Sequence, residues 1–156
     1  MIRIEIPGRA EPLEIAHVVL DYNGTVAVDG RLLESVRSRL PGLLELVGVH
    51  VLTADTYGTV RAQCEPLGVE VHAFPRAGAS DCKREIVEKL RGGVACFGNG
   101  FNDIPMFALA DLSVAVLEGE GLCAALLPHA DVLAATAADA LDLLLKPDRL
   151  RATLRS

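Results

Sequence analysis

Four polar clusters in this chain carry residue types that can do chemistry: Asp21-Tyr22-Asn23-Gly24-Thr25, Thr53-Ala54-Asp55, Lys83, and Gly98-Asn99-Gly100-Phe101-Asn102-Asp103. Read jointly, they fit phosphoryl transfer. A carboxylate at Asp21 can attack phosphorus and form an aspartyl-phosphate, dividing one hard displacement into two easier steps. Backbone amides of Tyr22, Asn23, Gly24 and Thr25 can face the phosphoryl oxygens. Thr53, with Ala54 beside it, can donate its hydroxyl to another oxygen. Lys83 can offset negative charge on nucleophile and phosphoryl group. Asp21 and Asp103 supply carboxylates for Mg²⁺, an ion that needs one or two of them besides water and phosphate oxygens.

Each cluster also has a plainer reading. Asp21 before Gly-Thr can be a turn former. Asp55 can cap a helix expected over 56–67, and Asp103 can cap the helix that Ile104-Pro105 begins. Lys83 shares a helical face with Ile86, Val87 and Leu90, at spacings of three, four and seven. That face packs on a sheet, so the amine of Lys83 either reaches over the strand ends or snorkels to solvent.

The elements that must hold these residues alternate along the chain. Strands are predicted at Ile2–Ile6, Ile15–Leu20, Val49–Leu52, Val69–Phe74, Val94–Phe97 and Leu112–Val116. Helical patterns cover 31–47 (interrupted by Pro41-Gly42), 56–67, 80–91, 104–110, 120–127 and 137–155, with Pro147 breaking the last. Such alternation predicts an α/β fold with a mostly parallel sheet and helices on both faces. In that architecture ligands sit beyond the carboxyl ends of the strands, where the strand order switches. The four clusters fall at those ends.

The 156 residues form one expected domain, 1–156, large enough to fold without disulfides or structural metal. A net charge of −6 and an aromatic content of 4% without tryptophan argue against a nucleic-acid partner. No run approaches the length of a membrane span, and the alternating Met1–Ile6 start is unlike a signal peptide. Cys64, Cys82, Cys96 and Cys123 have no metal or redox spacing, so a reduced, cytoplasmic protein is expected.

Asp21-x-x-Gly24-Thr25, Thr53-x-Asp55, Lys83 and Gly98-x-Gly100-x-Asn102-Asp103, in this order, resemble the haloacid dehalogenase superfamily of phosphotransferases. The run Gly100-Phe101-Asn102-Asp103-Ile104-Pro105-Met106, then Ala110-Asp111 and Val114-Ala115-Val116, is similar to the phosphorylation domain of P-type ATPases. The likeness covers nearly the whole chain and is greatest to small, stand-alone, soluble P-type ATPase-like members. It implies a Rossmann-like core and a Mg²⁺-dependent phosphatase acting on a phosphorylated substrate. Only 31 residues separate Asp21 from Thr53 and 29 separate Thr53 from Lys83, the intervals that hold the superfamily's cap domains, so the chain looks capless. Capless members tend to take large substrates or to cover their site by forming homo-oligomers. Leu143–Leu145, Leu150 and Leu154 offer either such an interface or a contribution to the chain's own core. Tyr22, Tyr57, Phe101 and Phe107 are expected near the rim.

Two residues depart from the family pattern. Asn23 stands where superfamily phosphatases carry an acid/base aspartate, although its backbone carbonyl can still reach Mg²⁺. Asn99 stands where the related loop usually has aspartate, which leaves Asp103 as the expected better metal ligand. These departures keep a second reading open: a phosphate-binding or phosphorylated regulatory domain with little turnover. A response-regulator receiver fits less well, because no acidic pair precedes Asp21. A pure assembly module with a relict site is the third reading.

Overall fold

The computed structural model describes residues 1–55 and 58–156. Its first ribbon pairs β1 (Ile2–Ile4) antiparallel with β2 (Leu13–Ile15). The expected strand Ile15–Leu20 is thereby divided. Ile15 pairs back to Ile2, Ala16 and His17 both donate to the Gly93 carbonyl, and β3 (His17–Asp21) then enters the main sheet.

A second ribbon joins β4 (Ala27–Val28) to β5 (Arg31–Leu32). Its turn residues Asp29 and Gly30 have φ of 51° and 75°, the left-handed pair that a two-residue hairpin requires. This hairpin takes up 31–32, so the helical pattern expected from 31 begins later, as α1 (Glu34–Arg37) and α2 (Leu40–Leu44).

The main sheet has six parallel strands in the order β10-β9-β8-β3-β6-β7. On one side of β3 lie β6 (Gly48–Thr53) and β7 (Glu70–Ala73); on the other lie β8 (Val94–Gly98), β9 (Leu112–Val116) and β10 (Val132–Ala134). The chain builds one half outward from β3 and then returns to build the other, so the switch point falls between β3 and β8. Strand β10 was not anticipated. It is three residues long with Leu133 turned outward, too short for a periodic signal. The helix expected at 120–127 is a 3₁₀ stretch over Ala124–His129.

Central strands buried on both faces explain the near-continuous apolar runs of β3 and β8. Val18, Leu20, Ala95 and Phe97 face a core closed by α1, α2, α3 (Thr59–Cys64), α6 (Ala137–Leu145) and α7 (Pro147–Leu154). Val19, Leu52, Val94 and Cys96 face a smaller core under α4 (Ala79–Lys89) and α5 (Ile104–Phe107). Leu143, Leu144 and Leu150 are buried in the first core, with Leu145 and Leu154 packed against it. The chain's own interior therefore uses the leucines that were candidates for an interface. All four cysteines are free thiols; Cys64 and Cys96 are buried, and burial pushes both thiols up. Among the described residues no helix is long and apolar enough to cross a membrane.

Candidate active site

Asp21 is the last residue of β3, and the chain turns sharply after it. The Tyr22 carbonyl accepts hydrogen bonds from the amides of Thr25, Val26 and Ala27, and Gly24 N donates to the Ala27 carbonyl. Gly24 has φ of 78°, and a Cβ there would lie 2.3 Å from Asn99 Nδ2, so both backbone and space demand glycine. The turn corrects one expectation. The amides of Tyr22, Gly24 and Thr25 are already bonded to backbone carbonyls, Tyr22 N to that of Leu52. Of the four amides expected to cradle phosphate, Asn23 N–H is the one bonded to no carbonyl among the described residues.

Lys83 reaches the same point from the second turn of α4. It is 2% exposed, and its Nζ donates to Asp21 Oδ1 (2.7 Å), Asp103 Oδ1 (2.6 Å) and Asn102 Oδ1 (2.9 Å). Snorkelling is thus ruled out: the ammonium is buried with all three donors used. Burial works against its charge, but the carboxylates of Asp21 and Asp103 outweigh it and hold the ammonium protonated. Asp103 is wholly buried in a 3₁₀ turn over Phe101–Asp103, and its Oδ2 accepts the amides of Asn99 (3.1 Å) and Gly100 (2.9 Å). A Cβ at Gly98 would meet that carboxylate at 2.4 Å, so the glycine makes the space in which it lies. Burial first, and then the neighbouring Asp103, push the Asp21 carboxyl up, against the pull of Lys83.

Two carboxylates thus share one ammonium, and a further cation is favoured beside Asp21. Thr25 Oγ1 lies 3.1 Å from Asp21 Oδ2 and 3.1 Å from Asn99 Oδ1, one hydrogen between two acceptors. Asn99 Nδ2 donates to the Gly121 carbonyl, which leaves its oxygen on Thr25 Oγ1, the hydroxyl that also lies against Asp21. This oxygen-rich corner fits a hard divalent cation such as Mg²⁺. It opens on a cleft of about 190 Å³ lined by Asp21, Asn23, Thr53, Ala54, Phe74, Lys83, Asn99, Gly100 and Asn102. Asp103 is not among the lining residues. Both its oxygens are held by Lys83 and two amides, whereas Asn99, the other loop residue expected at the metal, lines the cleft.

Thr53 ends β6 at the cleft, and its Oγ1 accepts the Asp55 amide at 3.0 Å. The Asp55 carboxylate accepts from Thr59 Oγ1 and the Val60 amide in the first turn of α3, but the helix begins at Thr59 with Gly58 in the N-cap position, not at 56 after Asp55 as expected. A wider groove of about 630 Å³ adjoins the cleft at Asn23 and Ala54 and runs past Asp55, Thr59, Pro75 and Arg76. Phe74 and Arg76 were not anticipated. They follow β7, and the rule that chemistry sits after strands would have found them. Of the expected rim rings, Phe101 is exposed, Tyr22 and Phe107 are buried, and Tyr57 lies outside the described residues. Tyr22 donates its hydroxyl to the Gly30 carbonyl, and burial pushes that phenol up to about 12.

No family model matches the chain. It is 33% identical over 88 residues to a copper-transporting ATPase, ccc2, of Schizosaccharomyces pombe, covering 54% of this chain and 9% of that protein. It is 26% identical over 112 residues to a soluble P-type ATPase-like phosphatase of Methanocaldococcus jannaschii, covering 69% of this chain and 41% of that protein. The chain therefore spans less than half the length of either. Its fold is similar to a Streptomyces avermitilis protein assigned to the HAD hydrolase family (TM-score 0.63, 22% identity, 86% of this chain and 87% of that one). It is also similar to 3-deoxy-D-manno-octulosonate 8-phosphate phosphatase of Moraxella catarrhalis, solved with magnesium, phosphate and KDO (TM-score 0.71, 16% identity, 90% and 94%).

Proposed function

We propose that the chain is a member of the haloacid dehalogenase superfamily, a reading supported by its fold likeness to the Streptomyces and Moraxella proteins and its sequence likeness to the Methanocaldococcus phosphatase, and that it is a Mg²⁺-dependent phosphohydrolase working through an aspartyl-phosphate on Asp21. The observation that carries this reading is the Lys83 ammonium held between Asp21 and Asp103 at the switch point of the sheet.

The ionised Asp21 attacks the phosphorus of a phosphomonoester. The bond from phosphorus to the ester oxygen breaks as the bond to the carboxylate forms. The leaving oxygen takes its proton from water, because the Asn23 carboxamide has no acidic proton to transfer. A second water then attacks the acyl phosphate, restoring Asp21 and releasing inorganic phosphate. Lys83 favours the ionised form of Asp21 against burial and offsets charge on the transferred group, and Asp103 holds Lys83 in place. Asp21, the Asn23 carbonyl and Asn99 would hold Mg²⁺, which when bound neutralises charge on the phosphoryl oxygens. Residues 1–156 act as one capless domain in this reading. The wider groove at Arg76 and Asp55 would take the polar remainder of the substrate. A phosphorylated sugar is the class favoured, in line with the Moraxella phosphatase.

Release of inorganic phosphate from a panel of sugar phosphates tests this reading. Release that needs Mg²⁺ and exceeds that of Asp21→Asn is expected; a panel with no release above that variant would contradict it. Asn23 favours one second reading, a domain that becomes phosphorylated but turns over little, because loss of general acid–base catalysis slows both steps.

A further inference from the structure

Three of the chain's four histidines, His17, His50 and His72, stand side by side across β3, β6 and β7. They share the face of the sheet that carries Val19 and Leu52, under α4. Their hydrogen bonds run in one direction. The Arg91 carbonyl can only accept, so the His17 nitrogen 3.1 Å from it, Nε2, carries the proton. A neutral His17 then offers a lone pair at Nδ1, and His50 Nε2, 3.1 Å away, must donate to it. That leaves His50 Nδ1 with its lone pair free of a proton.

This lone pair points at two more ligand atoms. His50 Nδ1 lies 3.1 Å from His72 Nε2 and 3.4 Å from a Glu70 carboxylate oxygen, and the other Glu70 oxygen lies 3.2 Å from His72 Nε2. Bonds of about 2.0–2.1 Å to a tetrahedral Zn²⁺ place ligand atoms about 3.3–3.4 Å apart. The two ring nitrogens, and the Glu70 oxygen nearest each of them, lie at about that spacing, so the carboxylate meets the pair through both of its oxygens. Burial pushes His50 and His72 down, toward the neutral form that ligates. Gly48 leaves room for the relay, since a Cβ there would stand 2.9 Å from His17 Nδ1.

We propose that His50 Nδ1, His72 Nε2 and the Glu70 carboxylate bind a divalent transition-metal ion of the Zn²⁺ class, with His17 as the positioning residue that orients His50. Imidazole with carboxylate suits such ions. A proton from the ligating ring to a further acceptor, here His17 and then Arg91, is the usual outer support. Glu70 is exposed and His72 is partly so, which leaves the fourth position open to water. The ion would tie the edge strand β7 to β6. The site is separate from the corner at Asp21: in the register row Asp21–Leu52–His72, the apolar Leu52 intervenes and two strands span about 10 Å.

Titration of the chelator-treated chain with Co²⁺ and Zn²⁺, read by the visible Co²⁺ spectrum and by calorimetry, tests this. With excess Mg²⁺ present to occupy the corner at Asp21, one equivalent binds, and Zn²⁺ raises the Tm. His72→Ala and Glu70→Gln each weaken binding by about 10–100-fold, whereas His129→Ala binds as the parent does. His17→Gln, whose amide oxygen can accept the same proton, retains more affinity than His17→Ala. Absence of binding at 100-fold excess of metal, or binding unchanged in both His72→Ala and Glu70→Gln, overturns the proposal and leaves a hydrogen-bonded histidine row.

Discussion

Lys83 Nζ lies 2.7 Å from Asp21 Oδ1, although the two are 62 positions apart along the chain. The distance is set by two elements: β3 ends at Asp21, and α4 packs its apolar face on the sheet so that Lys83 overhangs the strand end. Replacing the lysine by methionine keeps the volume and removes the charge. Two buried carboxylates then face each other without a cation. Lys83→Met is expected to destabilise the fold by about 3–5 kcal/mol, the usual result of breaking a buried ion pair on one side. Denaturant unfolding at pH 8 checks this, and the loss should be smaller at pH 4, where a carboxyl can take up a proton.

Asn23 is exposed and lines the cleft beside Asp21. Asn23→Asp supplies the missing acid and base. A rise in turnover of about 10²–10⁴-fold is expected, with little change in stability because the side chain is exposed. Steady-state hydrolysis with Mg²⁺ present measures it. An unchanged rate would mean that proton transfer does not limit the parent.

Asn99 Oδ1, rather than the buried Asp103, shares the corner with Asp21. Asn99→Asp adds a second carboxylate to the proposed Mg²⁺ ligands. The Mg²⁺ concentration giving half-maximal activity should fall by about tenfold or more. Asp103→Asn should act differently, lowering the maximal rate by disturbing Lys83.

Far from the cleft, Asp142 is buried on α6 and accepts from Arg39 (2.9 and 3.3 Å), Lys146 (2.9 Å) and Arg149 (3.3 Å). The Arg39 hydrogen bonds above all hold its carboxyl at about 2, below the ordinary 3.8. A depressed carboxyl stabilises the fold above its unfolded value and loses that contribution as the pH falls through the folded one. Asp142→Asn should cost about 1–2 kcal/mol at pH 7, a figure reduced because Lys146 and Arg149 are half exposed to solvent. The gap between parent and variant should close between pH 4 and pH 2 in urea unfolding.

Much of this arrangement was legible in the residues. Asp21, Thr53, Lys83 and the Gly98–Asp103 loop could be read because a parallel sheet collects its strand ends, and each cluster directly follows or overhangs a strand. Roles within the last loop could not be read. Asp103 and Asn99 are four residues apart, and only the 3₁₀ turn decides which one faces the cleft. The β4–β5 hairpin had a signal, Asp29-Gly30, that the stronger leucine periodicity beyond it concealed. The histidine row had none: His17, His50 and His72 lie on three strands, and only the register brings them together.

The most direct test of the central claim is hydrolysis of an aryl phosphate by the purified chain, with and without Mg²⁺, beside Asp21→Asn. Turnover that requires both Mg²⁺ and Asp21 is the predicted result. Mg²⁺-dependent turnover that survives in Asp21→Asn would contradict the assignment of Asp21 as nucleophile.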